Sequence, residues 1–150
     1  MSTHGLRLGD IAPDFTAETS KGTLSLHSYL GKTHWGILFS HPKDRTPVCT
    51  TELGAVQKLK KEWKKRNTKV IALSCDTVED HLNWIEDIKE TQGVSSLDYP
   101  IIADPERIIA KAYDMLPATA PNEGMPATVR SVFIISPNKQ IKLMLTYPAR

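Results

Sequence analysis

Apolar residues fall along this chain in short runs and in helical stripes, with turn signals between them. Gly36-Ile37-Leu38-Phe39-Ser40 is a compact apolar run and predicts a strand. Residues 47–66 carry Leu53, Val56, Leu59 and Trp63 at helical spacing and predict a helix. Lys69-Val70-Ile71-Ala72-Leu73-Ser74 predicts a second strand, apolar enough for burial on both faces. Thr77 caps a second helix, with Glu79 and Asp80 in its first turn and Gly93 as its stop. Leu82, Ile85 and Ile88 mark the expected buried stripe of that helix. Tyr99-Pro100-Ile101-Ile102 predicts a short strand, and Asp104-Pro105 opens a third helix through about Met115.

The flanks of this central region read as hairpins. Residues 5–30 predict an extended lead-in, with Asp14-Phe15-Thr16-Ala17 and Thr23-Leu24-Ser25-Leu26 flanking a turn at Ser20-Lys21-Gly22. Residues 117–128 form a loop rich in proline and alanine. Ser131–Ile135 and Gln140–Leu145 form a closing hairpin about Pro137-Asn138. Strand–helix–strand–helix followed by an antiparallel pair describes an α/β fold, a thioredoxin-like mixed sheet flanked by helices on both faces. Residues 1–150 form one domain in this reading, with no internal repeat. No helix follows the closing hairpin, and a sheet face normally needs cover, so the expectation is a fold short of one element.

Composition narrows the function classes. The chain has 150 residues, 40% hydrophobic and 24% charged, which suits a globular domain without a disorder signature. A formal charge of +2 is too small to argue for a nucleic-acid partner. Lys58, Lys60, Lys61, Lys64, Lys65 and Arg66 cluster in the second half of a predicted helix, where cations suit the dipole, and read as a solvated face. No run is long enough to span a bilayer, and the first residues begin no apolar signal segment. Two cysteines, Cys49 and Cys75, make no disulfide scaffold, so the expected compartment is reducing, with the cytoplasm as default. The histidines show no zinc-ligand spacing, and no phosphate loop or dinucleotide fingerprint occurs.

The candidate chemistry lies at Thr46-Pro47-Val48-Cys49-Thr50-Thr51-Glu52, just after the first predicted strand. Thr46 reads as N-cap and Pro47 as N1, which puts Cys49 in the first turn of a helix. The unpaired N–H groups and the positive end of the dipole then lie beside the sulfur, and both favour thiolate, the nucleophilic form. A nucleophile at a strand-to-helix junction lies at the carboxyl end of a strand, where open α/β sheets hold their ligands.

The segment from Phe39-Ser40-His41-Pro42 to Thr46-Pro47-Val48-Cys49 closely resembles the peroxiredoxin signature proline–x–x–x–threonine–x–x–cysteine. The serine–histidine–proline run before it is similar to that of the one-cysteine, peroxiredoxin-6-like group. Further similarity lies in Pro13-Asp14-Phe15, Val78-Glu79-Asp80-His81-Leu82 with Trp84, Pro100-Ile101-Ile102 and Gly124-Met125-Pro126-Ala127-Thr128-Val129-Arg130. The resemblance implies a peroxidatic Cys49 that forms a sulfenic acid, with Thr46, Pro42 and Arg130 as its site partners. Arg130 would be a permanent cation beside the sulfur, Thr46 a hydrogen-bond partner and Pro42 a shield shaping a narrow mouth. His41 and Glu52 are auxiliary candidates: His41 toward oxidised sulfur, Glu52 as a brace for the arginine or a plain helix-surface acid.

The resemblance also sets expectations about partners. No metal or organic cofactor is implied, and an external thiol, glutathione or a thiol-carrying protein, restores Cys49. Cys75 reads as a strand-end residue or as a resolving thiol. Relatives of the group are homodimers and extend further, with a helix and a dimerisation region that this chain is expected to lack. Some relatives carry a glycine–x–serine–x–glycine-like segment linked to lipid hydrolysis. Here that region reads Gly31-Lys32-Thr33-His34-Trp35-Gly36, without the serine, so His27 has no nucleophile elbow to serve. The reading is a peroxide-reducing thiol enzyme. Its alternatives are a redox sensor or chaperone-like protein switched by cysteine oxidation, or a shortened form with impaired activity.

Overall fold

The computed structural model describes residues 5–42, 44, 46–116 and 129–147. The predicted loop at 117–128 lies outside the described residues. Among them run β1 (Thr16–Thr19), β2 (Gly22–Ser25), α1 (Leu26–Leu30), β3 (Trp35–Ser40), α2 (Pro47–Lys58) and α3 (Lys60–Lys65). These are followed by β4 (Thr68–Ser74), α4 (Val78–Gln92), β5 (Ile101–Ala103), α5 (Ile108–Ala112), β6 (Arg130–Ile135) and β7 (Ile141–Tyr147). The strands form one sheet in the order β2-β1-β5-β4-β3-β6-β7. Its centre, β5-β4-β3, is parallel, and both flanks are antiparallel.

Side-chain alternation along β4 divides the interior in two. Ile71 and Leu73 point into a cluster with Leu26 and Leu30 of α1, Ile109 and Ala110 of α5, and Phe133. Val70 and Ala72 point the other way, to Leu53 of α2, Trp84 and Ile88 of α4, and Cys49. Helices therefore cover both faces, as the pattern predicts. The closing hairpin also forms, with Val132 paired to Leu145 and Phe133 to Met144.

The departures from the predicted elements have local causes. The first hairpin closes more tightly on its turn than expected, with β1 running to Thr19 and β2 starting at Gly22, because the Thr19 hydroxyl donates to the Gly22 carbonyl and accepts from the Lys21 N–H. Asp14 is not a strand residue; its carboxylate accepts from the His27 N–H at 2.9 Å and anchors α1, which the sequence pattern does not predict. The helix predicted over 47–66 breaks at Leu59. The Trp63 indole donates to the Val56 carbonyl at 3.0 Å, the oxygen a continuous helix would give to Lys60. Leu59 is consequently 56% exposed. The cap of α4 is as expected, a full capping box at Thr77 and Asp80 with Gly93 left-handed at the stop. Its buried stripe is rotated, however: Leu82 is 49% exposed, and His81, Trp84 and Ile88 face inward. Asp104 serves the third helix from a distance, accepting from the N–H groups of Ile109 and Ala110, so the helix begins at Ile108.

One close approach sets the position of α2. A methyl group added at Gly54 would lie 2.5 Å from Cγ and 2.7 Å from Cβ of Gln92 on α4. The Gln92 side chain of α4 packs directly against the bare Cα of Gly54. Gly54→Ala should force them apart and lower stability by about 1–3 kcal/mol in urea denaturation. An unchanged denaturation midpoint would contradict that packing.

Candidate active site

Topology brings the candidate residues to one end of the sheet. β3 ends at Ser40, and its antiparallel neighbour β6 begins at Arg130, with Ser40 opposite Ser131. The Ser40 hydroxyl fastens this corner, donating to the Val129 carbonyl at 2.6 Å and accepting from the Ser131 N–H at 3.1 Å. The first residue of β6 thus emerges beside the loop that leaves β3. That loop enters α2, where Cys49 is the third residue.

The first turn of α2 forms as its sequence dictates. Thr46 is the N-cap, its hydroxyl accepting from the Cys49 N–H at 3.2 Å, and Pro47 occupies N1, where it needs no N–H. The Thr50 hydroxyl donates to the Thr46 carbonyl at 2.8 Å and accepts from the Trp84 indole at 2.9 Å. The cap consumes the Cys49 amide, so little of the helix end remains open toward the sulfur. The stronger electrostatic partner is Arg130, whose Nη2 donates to Cys49 Sγ at 3.7 Å. A full positive charge at that distance outweighs the half charge of a helix terminus. Arg130 Nη1 donates in turn to Glu52, one turn along α2. The guanidinium is therefore held between a carboxylate and the sulfur.

Cys49 is fully buried. The sequence reading expects a narrow mouth; in this structure the sulfur is closed to solvent. Pro42 is half-buried in the preceding loop, as is Thr46. Cys75 is buried at the end of β4, and both cysteines are thiols. Among the described residues no group of His, Cys, Asp and Glu is arranged to hold a metal, and no helix is long and apolar enough to cross a membrane.

His41 lies in a network that sequence reasoning did not assemble. Asp44, 6% exposed, receives His41 Nε2 at 2.8 Å on Oδ1 and His81 Nδ1 at 2.5 Å on Oδ2. The Ser74 hydroxyl donates to Oδ1 at 3.1 Å, and the Asp44 N–H donates to Asp76 at 2.7 Å. His81 Nε2 meets the Ile102 carbonyl at 3.0 Å. The His41 ring also packs on Trp84, with centroids 5.0 Å apart. A signal for this was present: His81 shares a helical face with Trp84, Ile85 and Ile88, and a histidine on an apolar face requires polar partners.

The chain is similar to known proteins over most of its length. Residues 8–144 match the family model of the AhpC/TSA family. The 1-Cys peroxiredoxin of Dictyostelium discoideum is 52% identical over 144 residues, spanning 96% of this chain and 58% of that protein. A cysteine-to-serine variant of peroxiredoxin 6 of Arenicola marina superposes with a TM-score of 0.90 at 50% identity, over 97% of this chain and 66% of that one. A yeast mitochondrial 1-Cys peroxiredoxin, described as resolving thiols via glutathione/thioredoxin systems, superposes with a TM-score of 0.87 at 50% identity. It is covered over 68% of its length, against 96% of this chain. The fold is thioredoxin-like, as expected, and the chain spans 58% to 66% of the length of the first two of these relatives.

The Asp44 network makes stability depend on pH. Burial pushes the Asp44 carboxyl up, but hydrogen bonds from His41 and His81, with attraction to the His81 ring, outweigh it and hold the group well below the usual carboxylate range. Its folded value is lower than its unfolded one. The stabilisation is therefore complete above about pH 5, and is lost as pH falls through about 4 toward the folded value. Asp44→Asn should cost about 3 kcal/mol at neutral pH. The difference from wild type should shrink on acidification, as read by urea denaturation at a series of pH values. A difference that stays constant with pH would show that Asp44 carries no such linkage.

Proposed function

The chain belongs to the AhpC/TSA family, on its one-cysteine peroxiredoxin side, and from that premise we propose that it is a thiol peroxidase acting on hydrogen peroxide and organic hydroperoxides. The observation that carries this reading is the Arg130 guanidinium directed at Cys49 Sγ from 3.7 Å. A cation there stabilises negative charge on the sulfur and on the oxygen that leaves. The Cys49 thiolate attacks one peroxide oxygen. The S–O bond forms as the O–O bond breaks, and the departing oxygen takes a proton to become water or an alcohol. Cys49 is left as sulfenic acid, oxidised by two electrons.

Roles for the other residues follow from their positions. Thr46 fixes the turn through the Cys49 amide and offers a hydroxyl to the peroxide. Pro42 shields the sulfur, His41 is an auxiliary group toward oxidised sulfur, and Glu52 braces Arg130. No metal or organic cofactor is needed for thiol–peroxide exchange. An external thiol condenses with the sulfenic acid, releasing water, and a second thiol frees Cys49 as a disulfide departs. Glutathione or a thiol-carrying protein is the proposed reductant, a reading supported by the resolving systems named for the yeast relative. Residues 1–150 act as one domain in this proposal, in a reducing compartment such as the cytoplasm. The family resemblance implies a homodimer.

Peroxide consumption with glutathione in excess tests the proposal. Wild type should turn over repeatedly, Cys49→Ser should not react, and Cys75→Ser should retain turnover. Arg130→Met should lower the rate of the first step by about 100-fold. Turnover lost in Cys75→Ser while the first step persists would make Cys75 resolving. A single reaction without turnover, whatever thiol is added, would favour a sensor over a peroxidase.

A further inference from the structure

The interior beside the Cys49 turn holds a polar cluster in which the proposed chemistry gives a role to His41 alone. His81, wholly buried on α4, has a different acceptor at each ring nitrogen. We propose that His81 is a positioning residue for the Cys49 turn: it is held as an imidazolium between the Asp44 carboxylate and the Ile102 carbonyl, and it keeps His41 neutral.

A carbonyl oxygen only accepts, so His81 Nε2 donates to Ile102. On its other side Asp44 already gathers donors from Ser74 and His41, the arrangement of an ionised carboxylate. His81 Nδ1 therefore donates as well, and the ring carries both protons. One buried carboxylate is then balanced by one buried cation, which a site without bulk water requires. With that charge on His81, His41 completes the cluster as a neutral ring whose Nε2 proton points to Asp44, which leaves Nδ1 as its acceptor nitrogen. Asp76 is a further ionisable group at the cluster, and its carboxylate accepts from the Asp44 amide.

The positioning effect runs through two contacts on one face of α4. His81 holds Asp44, which lies between His41 and the N-cap Thr46 in the loop that delivers Cys49. Trp84, one turn on, donates to Thr50 in the first turn of α2 and packs against the His41 ring. The loop start is fixed separately, by the His41 N–H donating to the Leu73 carbonyl at 3.0 Å. α4 thus sets where the sulfur-bearing turn sits relative to β3 and β4. Without His81 the positive charge that Asp44 demands would pass to His41, next to the turn, and the site would become sensitive to pH.

The activity arm of this proposal rests on the peroxidase reading; the protonation arm does not. Ring ¹⁵N NMR of the reduced wild-type protein at neutral pH should find both His81 nitrogens protonated. A neutral ring with one bare nitrogen overturns the proposal. In His81→Gln, which offers one donor group and no charge, the first reaction of Cys49 with hydrogen peroxide should slow by about 10- to 100-fold. Its pH profile should change as well. A fall by the same factor at every pH would mean loss of structure alone and overturns the proposal, as does an unchanged rate. Leu82→Ala, the exposed neighbour on α4, should leave rate and profile as in wild type. If His81→Gln does not fold, the ring measurement on wild type decides. If wild type does not react with peroxide, the peroxidase reading fails, and the ring measurement again decides this one.

Discussion

The Arg130 guanidinium stands 3.7 Å from the Cys49 sulfur, in a place where neither group has bulk water to screen it. A buried guanidinium is costly unless it is paired, and Glu52 supplies the pair from the same helix that carries the sulfur. This makes the contact a three-body arrangement. Moving α2 relative to β6 would break both of its links at once. The Ser40 stitch to Val129 and Ser131 prevents that at the sheet, and the Thr46 cap prevents it at the helix.

The second helix layer extends the same constraint. Gly54 lets α2 approach α4 closely, and Tyr99 donates to the Leu53 carbonyl from the loop before β5. Trp84 and His81 then reach the Cys49 turn and the loop before it. The Trp84 indole, the Thr50 hydroxyl and both His81 ring nitrogens each have a hydrogen-bond partner, so this region is not held by apolar packing alone. Such an interior suits a reaction in which charge develops at a defined point, because the surrounding dipoles are already oriented when it does.

Much of this was legible in the sequence where the signal is local. The cap at Thr46, the proline at N1 and the resulting place of Cys49 follow from short-range rules, as does the capping box at Thr77. The strand run from Lys69 to Ser74 alternates between two interiors in the structure, as its continuous apolar character implies. Arg130 was legible through family resemblance alone, because its partnership with Cys49 depends on β6 lying antiparallel to β3. What was not legible depended on side-chain bonds to the backbone that hydrophobic periodicity does not register. Asp14 reaching His27, Trp63 reaching Val56 and Asp104 reaching Ala110 each moved a boundary that periodicity had set elsewhere. The face of α4 was misjudged for a related reason. Hydrophobic counting favours Leu82 and passes over His81, yet a histidine with a fixed partner at each ring nitrogen is better buried than a leucine that finds none.

On the proposed peroxidase reading, the fold, and not cysteine chemistry in general, makes this sulfur reactive. The most direct measurement compares oxidation of Cys49 by stoichiometric hydrogen peroxide in the native chain and in the urea-unfolded chain, with the sulfenic acid trapped and mapped to its peptide. Labelling of Cys49 should be fast in the native protein, ahead of Cys75, and slow and indiscriminate once the chain is unfolded. Equal rates in the two states, or native labelling of Cys75 first, would contradict it.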